Sequence, residues 1–126
     1  MAHMNTVSVD LPYPVGVNRV TRFDRGRAHK ATEAREWQES AARHLLLAGM
    51  RRLEPGEYRV RIEYTLYACN GGLDLDAPLK LLMDTIELSL GISDAYVVEI
   101  NGHLERVPHR NQQKLAVIIE WQELAA

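Results

Sequence analysis

The sequence EYRVRIEYTLYAC, residues 57–69, alternates apolar and polar side chains over its whole length. The apolar members share one face of an extended chain: Tyr58, Val60, Ile62, Tyr64 and Leu66. The polar members share the other: Arg59, Arg61, Glu63 and Thr65. A period of two residues is typical of a β-strand with one buried face. The sequence therefore predicts a strand from Glu57 to Cys69, ended by Asn70-Gly71-Gly72.

The remaining elements follow from the same kind of periodicity. Alternation predicts three further strands, over Asn5–Leu11, Tyr96–Asn101 and Gln113–Gln122, with turns at Asn101-Gly102 and Pro108–Asn111. In the last of these strands, one face carries Leu115, Val117, Ile119 and Trp121. Helical spacing predicts helices from Thr32 to about Ala48 and from about Ala77 to Leu90, which end at Gly49 and Gly91. The expected inward residues are Ala34, Trp37, Ala41, Leu45 and Ala48 in the first helix, and Leu79, Leu82, Met83, Ile86 and Leu90 in the second.

This order, β-α-β-α-β-β, predicts one α/β (α+β) domain over residues 4–126. Its mixed sheet has about four strands, with two helices packed on it. The segment from Pro12 to Ala31 shows no convincing period, and it is longer than an idle loop in a compact domain, so we expect a functional loop. The first residues, Met1-Ala2-His3, are interpreted as a cloning remnant.

Composition narrows the class of protein. A chain of 126 residues with 25% charged side chains is typical of a single soluble domain. Cys69 is the only cysteine, which excludes an internal disulfide and suits a cytoplasmic location. No apolar run approaches the roughly 18 residues of a membrane span, so no membrane partner is expected.

Charge is distributed unevenly along the chain. Residues 1–69 carry 11 Lys/Arg against 8 Asp/Glu, or +3, and residues 70–126 carry 4 against 9, or −5. The basic segment, which we define as residues 15–35, has six basic side chains and two acidic ones. A basic segment ahead of an acidic cluster is one way for a nuclease to divide phosphate capture from metal binding. A solvated surface loop gives the same pattern.

The acidic cluster surrounds the start of the second predicted helix. Asp74 and Asp76 precede it, Lys80 and Asp84 follow at intervals of four residues, and Asp94 lies beyond its end. Neighbouring carboxylates raise one another's pKa, and a hard divalent cation removes that cost. Magnesium with a nearby lysine suits chemistry on phosphate esters. If Asp94 folds back beside Asp74 and Asp76, the sequence predicts a magnesium site.

Structural roles are also open for these residues. Asp76 is at or next to the predicted helix N-terminus, where aspartate is a favoured cap. Lys80 with Asp76 and Asp84 has the spacing of ordinary surface ion pairs. Asp94 is a common type of turn residue. Asp74, on the extended segment two residues before Asp76, is not needed for capping.

From Met4 to about Glu120 the chain resembles the RusA family of Holliday junction resolvases, which are common in prophages. The resemblance is carried first by Leu11-Pro12-Tyr13-Pro14, Asn18-Arg19 and Arg25-Gly26-Arg27. Its most specific part is Asp74-Leu75-Asp76, Lys80, Asp84, and Asp94-Ala95 ahead of a strand.

The resemblance implies a Mg²⁺-dependent homodimer, with Mn²⁺ as a substitute metal, that makes paired nicks in four-way junction DNA during recombination and repair. It implies catalytic roles for Asp74, Asp76, Lys80 and Asp94, with the three aspartates as metal ligands and Asp84 in support. With the basic segment, it also implies DNA contacts by Asn18, Arg19, Arg22, Arg25, Arg27 and Lys30. Two alternatives stay open: a junction-binding module without turnover, and a metal-dependent nuclease on other branched nucleic acids.

Overall fold

The structure, a computed structural model, describes residues 4–14, 21–24, 27–30 and 32–124, with the backbone alone for 21–30 where it is described. The elements in chain order are β1 (Met4–Pro12), β2 (Thr21–Asp24), β3 (Arg27–Lys30), α1 (Thr32–Leu47), β4 (Tyr58–Ala68), α2 (Leu79–Leu90), β5 (Val97–Arg106) and β6 (Lys114–Glu123). Short 3₁₀ turns, Asp94–Tyr96 and Arg110–Gln112, precede β5 and β6.

The main sheet has the strand order β1-β6-β4-β5. Strand β6 is antiparallel to both of its neighbours, whereas β5 is parallel to β4. The connection from β4 to β5 runs through α2, as a parallel pair requires. This confirms the predicted single α+β domain with a mixed four-stranded sheet and two helices.

One face of this sheet forms the core. The alternate residues of β4 and β6 predicted to point inward are all buried, including Ile62, Leu66, Leu115 and Ile119. They form one hydrophobic cluster with the buried residues of both helices, so the helices cover the same face. In α1 the predicted residues Ala34, Trp37, Ala41 and Leu45 are buried, whereas Ala48 is exposed. The indole N–H of Trp37 donates to the carbonyl of Pro12 at 2.9 Å, which ties α1 to the end of β1.

Helix α2 differs from its prediction at its start and on its face. It begins at Leu79 rather than Ala77, and Pro78, with φ −81° and ψ −9°, is its N-cap. Leu82, Ile86 and Leu90 are buried as predicted, and Leu79 and Met83 are partly buried against the core. Leu81 and Thr85 are buried as well, because α2 contacts α1 in addition to the sheet. The Thr85 hydroxyl is satisfied by donating to the Leu81 carbonyl at 2.6 Å.

Two further predictions were wrong. Part of the segment from Pro12 to Ala31 is a two-stranded antiparallel sheet, in which β2 pairs with β3 from Thr21↔Lys30 to Asp24↔Arg27. Asn101-Gly102 is not a turn, since β5 continues past it to Arg106. Glycine at position 102 accommodates the ring of Tyr64 from the adjacent strand, so here it marks a close contact and not a break.

Candidate active site

The loop between β4 and α2 carries the acidic pair. After Ala68 the chain turns at Cys69–Gly72, where the N–H of Gly72 donates to the carbonyl of Cys69 at 2.9 Å. Gly71, with φ +81°, adopts a left-handed conformation that other residues rarely take. Two overlapping turns then lead into α2: Ala77 N–H donates to the Asp74 carbonyl at 3.0 Å, and Leu79 N–H to the Asp76 carbonyl at 3.1 Å. These backbone bonds fix the path of the chain through both acids.

Two tyrosines anchor the same loop to the body of the protein. The N–H of Leu73 donates to the hydroxyl of Tyr13 at 2.8 Å, and the hydroxyl of Tyr64 donates to the carbonyl of Leu75 at 2.8 Å. Burial, and after it the negative charge of Asp76, raise the pKa of Tyr64.

Asp74 and Asp76 are both exposed to solvent, and neither side chain caps the helix that follows. The N-cap of α2 is Pro78, and no side chain caps the helix. The capping role considered for Asp76 is therefore absent from the structure, although its backbone carbonyl takes part in the last turn before the helix.

Lys80 and Asp84 lie on α2 as predicted. Lys80 is exposed in the first turn, and Asp84 is partly buried one turn later. Among the residues described, no carboxylate lies within 4.0 Å of the Lys80 ammonium, so the surface ion pairs that its spacing permits are not formed. Lys80 therefore makes no direct ion pair with a described residue, although Asp76 and Asp84 are each four residues away in sequence.

Asp94 does not fold back to the acidic pair. Within the described part of the chain, no three acidic, histidine or cysteine side chains come together to hold a metal. The parallel crossover explains this, because Asp76 precedes α2 and Asp94 follows it. The ends of that 12-residue helix are about 16 Å apart. The expectation of a three-aspartate cluster within one chain is therefore wrong, whereas the roles of the individual residues stay predictions.

The predicted DNA-binding residues belong to the basic segment. Asn18, Arg19 and Arg25 lie outside the described residues. Arg22 lies on β2, and Arg27 and Lys30 lie on β3, where only the backbone is described. Their roles therefore stay predictions.

Sequence reasoning gave Tyr13, Tyr64 and Gly102 no role in holding the acidic loop, although all three determine how it is held. Tyr64 has the position of an ordinary core residue in the alternation of β4, and it is buried. Its hydroxyl contact with Leu75 depends on the pairing of Tyr64 with Gly102 across β4 and β5. No pattern within either strand indicates that pairing.

No protein-family model and no curated protein matches this chain. Among solved structures, it is similar to 2C-methyl-D-erythritol 2,4-cyclodiphosphate synthase from Plasmodium vivax. That match has a TM-score of 0.40 and 10% sequence identity, over 100% of this chain and 99% of that chain. A likeness at this level says nothing about activity. In the part of the chain that the structure describes, none of the helices combines the length and the apolar character of a membrane span.

Proposed function

We propose that this protein is a Mg²⁺-dependent endodeoxyribonuclease that resolves four-way DNA junctions by paired nicks. The proposal rests on the exposure of Asp74 and Asp76 and on the absence of a helix-capping role for their side chains. They are two exposed carboxylates on a loop fixed by hydrogen bonds, and neither side chain caps the helix that follows. Two neighbouring like charges with no structural task favour a ligand of opposite charge. The resemblance to the RusA resolvases, which includes both acids and Lys80, supplies the substrate class.

The residues present fit magnesium. Mg²⁺ in phosphate-processing sites is bound through one or two carboxylates, with waters and substrate phosphate oxygens in the other positions. Asp74 and Asp76 would supply those carboxylates, and their exposure leaves room for water and DNA. Magnesium bound there would lower the pKa of a bound water and stabilise negative charge on the phosphate.

Lys80 has a separate task in this proposal. Its ammonium, exposed in the first turn of α2 and without an ion-pair partner among the described residues, would donate to a non-bridging phosphate oxygen. Negative charge develops on those oxygens as the phosphodiester bond breaks. A donor there therefore stabilises the transition state more than it stabilises the bound DNA substrate. Lys80 should therefore contribute to turnover more than to affinity.

The fold also bears on which subunit's Asp94 is available to the proposed metal site. Asp94 precedes β5, whose start pairs with the start of β4, whereas the acidic pair follows the end of β4, so the described chain does not bring the three aspartates together. A homodimer offers a second source, since a two-fold axis can bring the far end of one α2 to the near end of the other. We therefore infer that each site combines Asp74 and Asp76 with the partner subunit's Asp94. Two such sites would serve the two opposed strands of a junction.

The test is cleavage of a synthetic four-way junction and of a matched linear duplex, each with and without Mg²⁺. The wild-type protein should cut the junction in paired positions only with Mg²⁺ and leave the duplex intact. Asp76→Asn should bind the junction in a gel shift but not cut it, because it removes a ligand at nearly constant volume. Glu36→Gln, which changes an exposed carboxylate on α1, is the matched control and should cut like the wild type.

Other outcomes separate the alternatives. Binding by the wild type without any cleavage would favour a junction-binding module. Equal cleavage of flaps and forks would favour a nuclease with broader specificity. Full activity of Asp76→Asn would refute the site.

A further inference from the structure

The residues on the two sides of Asp74, Leu73 and Leu75, are each held through one backbone group by a tyrosine hydroxyl. Tyr13, just after β1, accepts from the N–H of Leu73, and Tyr64, in the middle of β4, donates to the carbonyl of Leu75. Leu75 is the residue between the two acids. The chain is therefore fixed immediately before Asp74 and between Asp74 and Asp76, by groups from two different strands or their ends.

Two glycines make room for these tyrosines. A Cβ atom at Gly72 would lie 2.8 Å from the Tyr13 hydroxyl and 2.9 Å from the Cys69 carbonyl. At Gly102 it would lie 2.7 Å from both the Cζ and the hydroxyl of Tyr64. Contacts this short are well inside van der Waals separation, so any larger residue would displace the ring or the loop. Both hydroxyls thus reach the acidic loop only because glycine stands opposite them.

An unperturbed tyrosine titrates at about pH 10, so the Tyr64 hydroxyl is a donor at neutral pH and its bond to the Leu75 carbonyl persists there. Mg²⁺ demands nearly ideal octahedral geometry, and ligands on a loop meet that demand best when the loop is ordered beforehand.

We propose that Tyr13 and Tyr64 are positioning residues, which hold the carboxylates of Asp74 and Asp76 in the arrangement that binds the metal. This rests on the function proposed above. Neither tyrosine touches metal or DNA in this role. They act on the backbone of the acidic loop, in the way that outer-shell hydrogen bonds orient metal ligands.

The test compares Tyr64→Phe with Tyr58→Phe. Tyr58 lies on the same strand and the same buried face, and its hydroxyl also donates to a backbone carbonyl, that of Glu54, which is not part of the loop that carries Asp74 and Asp76. Both variants lose one partly buried hydrogen bond from a tyrosine hydroxyl to a backbone carbonyl and should lose similar stability. In dimers free of DNA, Mn²⁺ alone is titrated by electron paramagnetic resonance. Tyr64→Phe should raise the Kd for Mn²⁺ about tenfold, and Tyr58→Phe should leave it within about twofold of the wild type.

Hydrogen exchange provides a readout that needs no metal. In Tyr64→Phe, and similarly in Tyr13→Phe, the amides of Ala77 and Leu79 should exchange faster, because the turns they close lose their anchor. Unchanged exchange in both variants would overturn the positioning role, whatever the metal does. An Mn²⁺ affinity equal to that of Tyr58→Phe would overturn it too. A wild-type protein that binds no Mn²⁺ would refute the proposed function instead, and exchange alone would then decide whether the tyrosines order the loop.

Discussion

Mixing two inactive variants tests whether each site draws on both subunits. Asp76→Asn and Asp94→Asn are each expected to be inactive, since every site loses a ligand in either homodimer. Random mixing makes half of the dimers mixed. If the partner subunit's Asp94 completes each site, a mixed dimer has one site with both substitutions and one site with neither. About a quarter of all sites are then intact.

The expected result is a return of nicking to about a quarter of the wild-type rate, with little paired incision, because a mixed dimer cuts only one strand. The assay uses differently tagged subunits that are unfolded together, refolded and incubated with a junction labelled on each strand in turn. The fold motivates the prediction, since about 16 Å of helix separates the two halves of a site within one chain. Sites contained in single subunits would give no recovery at all, and that result would refute the reasoning.

A matched mixture makes the comparison sharper. When the wild type is mixed with the Asp76→Asn/Asp94→Asn double variant, shared sites leave every mixed dimer inactive, so about a quarter of the sites remain. Sites within single chains would leave about half. Shared sites therefore raise the cleavage rate of the first mixture and lower that of the second, each compared with sites contained in single subunits.

Three further predictions concern single features. Lys80→Ala should lower kcat for junction cleavage by about 10²-fold or more and change the junction Kd much less. Parallel cleavage and gel-shift titrations would measure the two effects. Equal losses of kcat and affinity would contradict the role of Lys80 in the transition state. Millimolar Mg²⁺ should raise the Tm of the wild type, since a ligand that binds the folded state stabilises it. Under the same calorimetric conditions, Mg²⁺ should raise the Tm of Asp76→Asn less. Equal Tm shifts in the two proteins would argue against Asp76 as a ligand. Gly102→Ala should destabilise the protein by about 1–3 kcal/mol through contact with the Tyr64 ring, measured by urea unfolding. Gly56→Ala, opposite the flexible end of Glu123, should cost less.

Much of the main sheet could be predicted from the sequence, because its strands bury one face and their alternation is long. In β4 and β6 the inward residues were identified except Ala68, the last residue of β4, and the strand ends were within one residue. The small sheet of β2 and β3 was missed, since strands of four residues are too short to establish a period. The length of β5 was missed because Asn101-Gly102 is usual turn chemistry, and only the ring of Tyr64 on the adjacent strand explains that glycine.

The candidate site was predictable only where its residues are close in sequence. Asp74, Asp76 and Lys80 are close in sequence, so a loop and one helical turn keep them close in space. The position of Asp94 depends on the direction of β5 relative to β4, and spacing along the chain does not contain that direction. The turn after α2 leads to the start of a parallel strand, away from the acidic pair.

The link between α1 and β1 has a practical consequence for spectroscopy. The chain has two tryptophans, and both are buried. The Trp37 indole is hydrogen-bonded to the last residue of β1, three positions before the basic segment begins, whereas Trp121 sits in β6 opposite Val60. In a Trp121→Phe background, the emission of Trp37 alone reports on the end of β1. If DNA binds the basic segment, as predicted, intrinsic fluorescence should follow its arrival in real time with no attached dye; unchanged Trp37 emission on addition of DNA would count against binding there.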